Sequence, residues 1–345
     1  MSESASRHGS HLWIKDIREN GRVSGAYLVR DKRVGTTRRG DPFISLILAD
    51  RSGEMAGRVW EGAETLSPLF QTGDVVAVEG TASSYRGRTQ ITISDLKAVE
   101  GEVEPEIFLE STPGNVSKML AEIREILTGV RNPHLRALID RFLEDRRFVS
   151  GLKTAPAAKN FHHSYVGGLL EHTLSVCEMA VWAAGHYPQL DGDLLVTGAF
   201  LHDIGKMKEL KANLQIEYTD EGRLLGHLVL GAAMVDEKLE QVKGFPHELA
   251  LRLKHLILSH HGQYEFGSPK RPKFLEAFAL HLMDDLDAKM NGLTRFMERD
   301  DEEGAWTQFN RLFDRYFMKG RPRDEELPLG PLKEGDEKQG RLFEG

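Results

Sequence analysis

The stretch Leu194-Leu195-Val196-Thr197-Gly198-Ala199-Phe200-Leu201-His202-Asp203-Ile204-Gly205-Lys206 decides how this chain is read. Eight uncharged residues, Leu194 to Leu201, run directly into an adjacent histidine and aspartate. A run of that length is too short to cross a bilayer, so it reads as a core helix. A polar pair at the end of such a helix is costly to bury without a partner. Imidazole and carboxylate side by side can meet one metal ion, and a carboxylate can bridge two because it offers two oxygens. Taken alone, the pair also fits an ordinary helix cap or salt bridge.

Its companions narrow the reading. His172, His227, the pair His260-His261, and Asp284 with Asp287 each fall in or beside an apolar stretch. Nitrogen and carboxylate donors together favour manganese, iron, cobalt, nickel or zinc over calcium. The set is large enough for two ions. From about Ser117 onward everything reads as helical: Leu120, Ile123, Ile126 and Leu127 keep a helical period, as do Leu135, Leu138, Ile139, Phe142 and Leu143. Further helices are expected near 167–185, 192–204, 224–241, 246–260, 272–291 and 305–318, with Gly226 as a hinge before His227. His134, His186, His247, His255 and His281 lie outside the pattern and read as surface or satisfied core residues.

Upstream the period changes to two. Short β-rich runs at Ser24 to Val29, Pro42 to Leu48, Met55 to Val59, Val75 to Gly80 and Gln90 to Leu96 are separated by turn signals such as Asp50-Arg51-Ser52-Gly53 and Thr72-Gly73-Asp74. Five such strands predict a small barrel, and Ala63 to Phe70 fits the helix between strands three and four of an OB-fold. Binding of single strands to a barrel needs aromatic platforms and cations. The candidates are Phe43, Trp60 and Tyr85 for stacking, with Arg38, Arg39, Arg86 and Arg88 for phosphates. Phe43 and Trp60 alternate with apolar residues and read more readily as core, whereas Tyr85 lies in a polar turn and reads as exposed. Arg33 to Gly40 reads as a mobile loop.

The 345 residues suffice for two cores, and the formal charge of −8 excludes an indiscriminate nucleic-acid coat while leaving room for a local basic groove. Six cations between Arg22 and Arg39 face one acid, Asp31. The single cysteine, Cys177, excludes an internal disulfide framework and fits the cytoplasm. No stretch is apolar enough to span a membrane, and Met1 to Ser10 has no apolar core of a secretory leader. The expected organisation is a multidomain chain: a flexible N-terminus over 1–11, a five-stranded OB-fold barrel over 12–100, an acidic linker over 101–116, an all-α domain over 117–320 and a flexible tail over 321–345.

With these motifs in place, the order His172, His202-Asp203, His227, His260-His261, Asp284 resembles the two-metal HD phosphohydrolases. Gly167-Gly168-Leu169-Leu170-Glu171-His172-Thr173, Leu201-His202-Asp203-Ile204-Gly205-Lys206, Leu225-Gly226-His227 and Leu258-Ser259-His260-His261-Gly262 resemble more narrowly the YhaM-type 3′-to-5′ exoribonucleases, which join an OB-fold to an HD domain. The resemblance spans roughly residues 12–318. It implies that His172, His202, Asp203 and Asp284 hold one ion, and that Asp203 bridges to a second held by His227 with His260, His261 or both. Asp284 is preferred to Asp287 as the first acid of the matching Asp-x-x-Asp-Ala pattern, although three-residue spacing puts both on one helix face. Catalytic roles fall to Asp203, to Lys206 one turn beyond it, and to His163, with His162 beside it as a further phosphate contact.

The implied activity is a metal-dependent hydrolysis, with manganese as the leading ion, of single-stranded RNA, or of single-stranded DNA as a second substrate, releasing nucleoside monophosphates. The sequence leaves self-association open. A phosphohydrolase of nucleotides or cyclic dinucleotides is the alternative, but the HD-GYP resemblance breaks at Gly262-Gln263-Tyr264-Glu265-Phe266-Gly267, which lacks Gly-Tyr-Pro. A non-catalytic nucleic-acid-binding module with a structural metal site is the alternative of another class.

Overall fold

The computed structural model describes residues 11–37, 39–85, 88–99, 103–104 and 107–320. The expectations for Arg38, Arg86, the Arg88 side chain, the chain before residue 11 and the tail 321–345 lie outside the described residues.

Five strands, β1 (Arg22–Thr36), β2 (Pro42–Asp50), β3 (Gly53–Val59), β4 (Val75–Tyr85) and β5 (Arg88–Ala98), close into a barrel in the order β1-β2-β3-β5-β4. Closure leaves no open sheet edge. Alternation drives it: Val76, Val78 and Ala82 of β4 point inward while Ala77, Glu79 and Thr81 face solvent. Ile44, Leu46 and Leu48 of β2 join them in one core with Val23, Tyr27 and Ile91. The expected helix between strands three and four is a single α turn, α1 (Ala63–Leu66), followed by a 3₁₀ turn over Ser67–Leu69. The strands outrun their sequence signals. The first half of the segment expected to be a mobile loop is strand, because Arg33 to Thr36 pair with Ser45 to Pro42.

Asp50 closes the turn between β2 and β3. It is 5% exposed, and its carboxylate accepts from the Ile14 amide at 2.8 Å, the Ser52 amide at 2.7 Å and the Ser52 hydroxyl at 2.6 Å. Burial opposes ionisation, but contacts with His11, Ser52 and the Ile14 amide outweigh it and hold the carboxyl below its usual value. A depressed carboxyl stabilises the fold above the unfolded-state pKa and loses that contribution as pH falls through the folded value. Asp50→Asn should therefore cost about 1–3 kcal/mol near neutrality. Urea melts at pH 7 and pH 3 should show a smaller gap between variant and wild type in acid; an equal gap would contradict this.

The helical part comprises α2 (Val116–Thr128), α3 (Pro133–Glu144), α4 (Arg146–Thr154), α5 (Gly168–His186), α6 (Gly192–Leu201), α7 (Lys206–Glu209), α8 (Asp220–Leu239), α9 (His247–Ser259) and α10 (Leu275–Glu298). Asn115, Asn132, Asp145, Asp191 and Thr219 cap α2, α3, α4, α6 and α8 by accepting first-turn amides. The reading of this half as helical throughout needs two corrections. A hairpin of β6 (Leu210–Ala212) and β7 (Ile216–Tyr218) interrupts it, three residues per strand and too short for a periodic signal. The helix expected over 305–318 does not form. There Trp306 bridges to Met318 and Asn310 to Arg315, and the Asn310 side chain accepts from the Leu312 and Phe313 amides, a local turn that competes with a helix.

In the segment read as linker, the Arg51 amide donates to the Ile107 carbonyl at 2.7 Å and Phe108 packs with Leu28, Ala49 and Val75 of the barrel. Leu109 packs with Leu210 and Ile216, and Ser111 bridges to Val166. These contacts bolt the barrel to the helices within one compact unit that ends at Asn291; residues from Gly292 form a second unit.

Candidate metal centre

Five helices deliver the site. α6 is buried from Leu194 to Leu201, so its C-terminal end carries His202 and Asp203 into the core, where they are 0% and 1% exposed. His172 comes from α5, His260 and His261 follow the end of α9, and Asp284 and Asp287 lie on α10. Gly226 interrupts α8 with φ 72 and ψ 159, a left-handed conformation that a side chain would strain. The break turns His227 inward, as the hinge reading expected.

Each of the five histidines has its Nδ1 occupied by an outer acceptor. His202 Nδ1 donates to the Ala199 carbonyl at 2.8 Å, His260 Nδ1 to the Ile257 carbonyl at 2.8 Å and His261 Nδ1 to the Phe266 carbonyl at 3.0 Å. His172 Nδ1 donates to Asp287 at 2.6 Å and His227 Nδ1 to Glu209 at 3.0 Å. Carbonyls and carboxylates only accept, so a neutral ring must carry its proton on Nδ1 and present a lone pair at Nε2. These lone pairs converge: His172 Nε2 is 3.1 Å from His202 Nε2, and His227 Nε2 is 3.2 Å from His261 Nε2.

Asp203 sits between two donor sets. Its Oδ2 is 3.5 Å from both His172 Nε2 and His202 Nε2, while its Oδ1 is 3.6 Å from His227 Nε2 and 3.4 Å from His260 Nε2. Asp284 Oδ1 completes the first set at 3.2 Å from His172 Nε2. The donor atoms of His172, His202, Asp203 and Asp284 lie within 4.8 Å of one another, and so do those of His227, His260 and His261. Ligands about 2.1 Å from one ion stand about 3.0–3.4 Å apart at octahedral or tetrahedral angles. The spacing therefore fits divalent cations.

The electrostatics fit them too. Both Asp203 oxygens and His260 Nε2 are buried without a hydrogen bond of acceptable geometry, although Lys206 Nζ lies 2.5 Å from Oδ2. Burial opposes ionisation of Asp203, yet Lys206 and His202 outweigh it and hold the carboxyl well below its usual range. Asp284 is likewise held far down, against burial, by His172 and His202. The same carboxylates overcome burial to raise His202 to about 10 and keep Lys206 above its usual value. Buried Asp203 and partly buried Asp284 thus draw positive charge into the pocket. The convergent clusters mark a candidate site for divalent metal ions.

Lys206, 7% exposed, is no ordinary surface lysine. His163 is 3% exposed with both ring nitrogens engaged, Nδ1 with the Tyr165 hydroxyl at 3.0 Å and Nε2 with Asp287 at 3.0 Å. His162 differs: both its ring nitrogens are buried without a hydrogen-bond partner, its ring is 5.7 Å from that of His172, and burial with nearby Lys206 pushes it down to about 3. Sequence reasoning missed Glu209. It accepts from both the His227 amide and Nδ1 at 3.0 Å and is held below its usual pKa, against burial, by His227. Asp287 also accepts from the Ser175 hydroxyl, which leaves it an orienting partner for His172.

On the barrel, Trp60 is 45% exposed and Tyr85 56% exposed, while Phe43 is half-buried and packs its ring 5.2 Å from that of Trp60. A concave surface of about 560 Å³ runs past Trp60 and Pro42. Asp41, Glu61 and Glu64 also line it, which suits a base better than a phosphate. Arg39 is exposed on the adjoining turn.

A sequence profile of the HD domain matches residues 169–289, and one of the OB-fold nucleic acid binding domain matches residues 14–99. Fold and site thus define an HD-domain protein carrying an OB-fold. The chain is 37% identical over 274 residues to the 3′-5′ exoribonuclease YhaM of Bacillus subtilis (strain 168), covering 79% of this chain and 86% of that protein. It is 33% identical over 305 residues to YhaM of Halalkalibacterium halodurans, covering 88% and 94%. The chain belongs to the YhaM 3′-5′ exoribonuclease family. Among the described residues no helix is long and apolar enough to cross a membrane.

Proposed function

We propose that this chain degrades single-stranded RNA from the 3′ end, releasing nucleoside monophosphates, with two divalent ions of which manganese is the first candidate. The single observation that carries the two-ion reading is Asp203, whose two oxygens face separate nitrogen sets and have no well-formed hydrogen bond of their own. His172, His202, Asp203 and Asp284 would hold one ion; Asp203, His227, His260 and His261 the other. When bound, such ions activate water at neutral pH and offset charge developing on the phosphate.

The remaining chemistry belongs to the chain. Lys206 would donate to a phosphate oxygen, adding fixed positive charge where negative charge develops. His162, with two unpartnered nitrogens, suits a phosphate or leaving-oxygen contact, whereas His163 braces Asp287. Glu209 and Asp287 fix the tautomers of His227 and His172. Trp60, Phe43 and Tyr85 would stack bases, with Arg38, Arg39, Arg86 and Arg88 toward phosphates, so that the barrel adds affinity and not chemistry. Single-stranded DNA is the second substrate in this reading. The cytoplasm suits its lone, buried Cys177.

End-labelled single-stranded RNA tests this. Chelated protein should be silent, manganese should restore a ladder of 3′-shortened products, and digestion should stall at a stable duplex. Full activity in chelator, internal cleavage, or equal rates on blunt duplex RNA would overturn the reading.

A further inference from the structure

The metal pocket is not equally closed on all sides. His172, His202 and His260 are 0% exposed, whereas His227 and His261 are only half-buried, so the pocket opens toward His261. The segment bordering that opening, Gly262 to Lys273, has a composition unlike its surroundings. Tyr264 and Phe266 are 55% and 63% exposed, and three cations, Lys270, Arg271 and Lys273, follow within four residues of a chain whose net charge is −8. All three are exposed, and among the described residues none forms an ion pair with a carboxylate.

The segment is also fixed in place. The Phe266 carbonyl accepts from His261 Nδ1, so the loop backbone is one hydrogen bond away from a candidate ligand. The buried Ser268 hydroxyl lies 2.7 Å from the Lys270 carbonyl and 3.0 Å from that of Leu258, and the Lys273 amide donates to His255 at 3.1 Å. Gly262 adopts φ 77, and a Cβ there would run into the His281 ring. Exposed aromatic rings on a rigid loop, unlike those on a mobile one, lose little entropy when a planar group stacks on them. Arg271 already covers one face of Tyr264, its guanidinium 4.8 Å from the ring centre.

We propose that the 262–273 segment is a nucleotide clamp of the helical domain. It takes the 3′-terminal nucleotides of single-stranded RNA, with bases against Tyr264 and Phe266 and backbone phosphates against Lys270, Arg271 and Lys273. The chemistry is that of single-strand platforms in general, aromatic faces interleaved with cations. This clamp rests on the reading given under the proposed function and deepens it: the barrel would hold the strand at a distance, and the clamp would seat its end.

The test uses the full-length, metal-loaded protein and a short phosphorothioate RNA that resists cleavage. Tyr264→Ala with Phe266→Ala should raise its Kd by about tenfold or more, as loss of base stacking does. Tyr264→Phe with Phe266→Tyr should stay near wild type. Lys270→Ala, Arg271→Ala and Lys273→Ala together should reduce the slope of log Kd against log salt by about 2, at roughly 0.7 per phosphate contact on single strands. Metal content and hydrolysis of a small generic diester should hardly change in any of them. Unchanged Kd and unchanged salt slope in both the aromatic and the cationic variants would overturn the clamp and leave this face for a protein partner. Because Kd is read without turnover, a wild-type protein that binds RNA through these residues yet never degrades it would overturn the proposed function and not the clamp.

Discussion

Asp203→Asn is expected to leave a folded protein whose RNA turnover has fallen by at least on the order of 10³-fold. The substitution is nearly isosteric, so packing around this 1%-exposed residue survives. What changes is charge: one carboxylate oxygen becomes an amide NH2, which can only donate, directed at the converging histidine nitrogens. The shared carboxylate is lost: because Oδ2 serves His172 and His202 while Oδ1 serves His227 and His260, one donor set meets an NH2 group that cannot ligate a cation and the other keeps only a neutral carbonyl oxygen. Single-turnover kinetics with metal analysis of the same sample checks this. Near-normal turnover with both metal equivalents retained would remove Asp203 from its proposed place.

The second large effect separates two acids that sequence spacing cannot. Asp284 Oδ1 lies 3.2 Å from His172 Nε2 and 3.6 Å from His202 Nε2, inside the convergent set. Asp287 touches the opposite nitrogen of His172, at 2.6 Å, and also holds His163. Asp284→Ala should therefore lose metal from the first set and fall in rate as far as Asp203→Asn. Asp287→Ala removes an outer partner and should cost about 10–100-fold in metal affinity or rate. Metal titrations of the two variants decide it; loss of metal from Asp287→Ala alone would reverse the roles.

The fold was legible where the chain repeats a physical signal. Alternation in β2 and β4 and explicit turns at Asp50-Arg51-Ser52-Gly53 marked the barrel, and the buried run of α6 marked the helix that carries His202 and Asp203. The β6–β7 hairpin was not legible, since three residues per strand hold no measurable period. Residues 305–318 misled because their apolar spacing mimics a helix while Asn310 ties its own local turn. In the site, the histidines stood out as costly polar residues in apolar helices. Glu209 did not, because its partner His227 lies eighteen residues on, across the hairpin, and only the Gly226 break brings the two together. Neighbouring His162 and His163 look alike in sequence; φ 44 at His163 goes with one ring fully hydrogen-bonded and the other without partners. Trp60 read as core because it follows an alternating strand, yet it sits just past the end of β3, where alternation no longer dictates burial.

Anomalous diffraction from manganese-loaded crystals would show whether the Asp203 carboxylate joins two metal sites. Two separate peaks should flank Asp203, one among His172, His202 and Asp284 and one among His227, His260 and His261. A fully active crystal preparation with a single peak, or with peaks elsewhere, would contradict the bridging role.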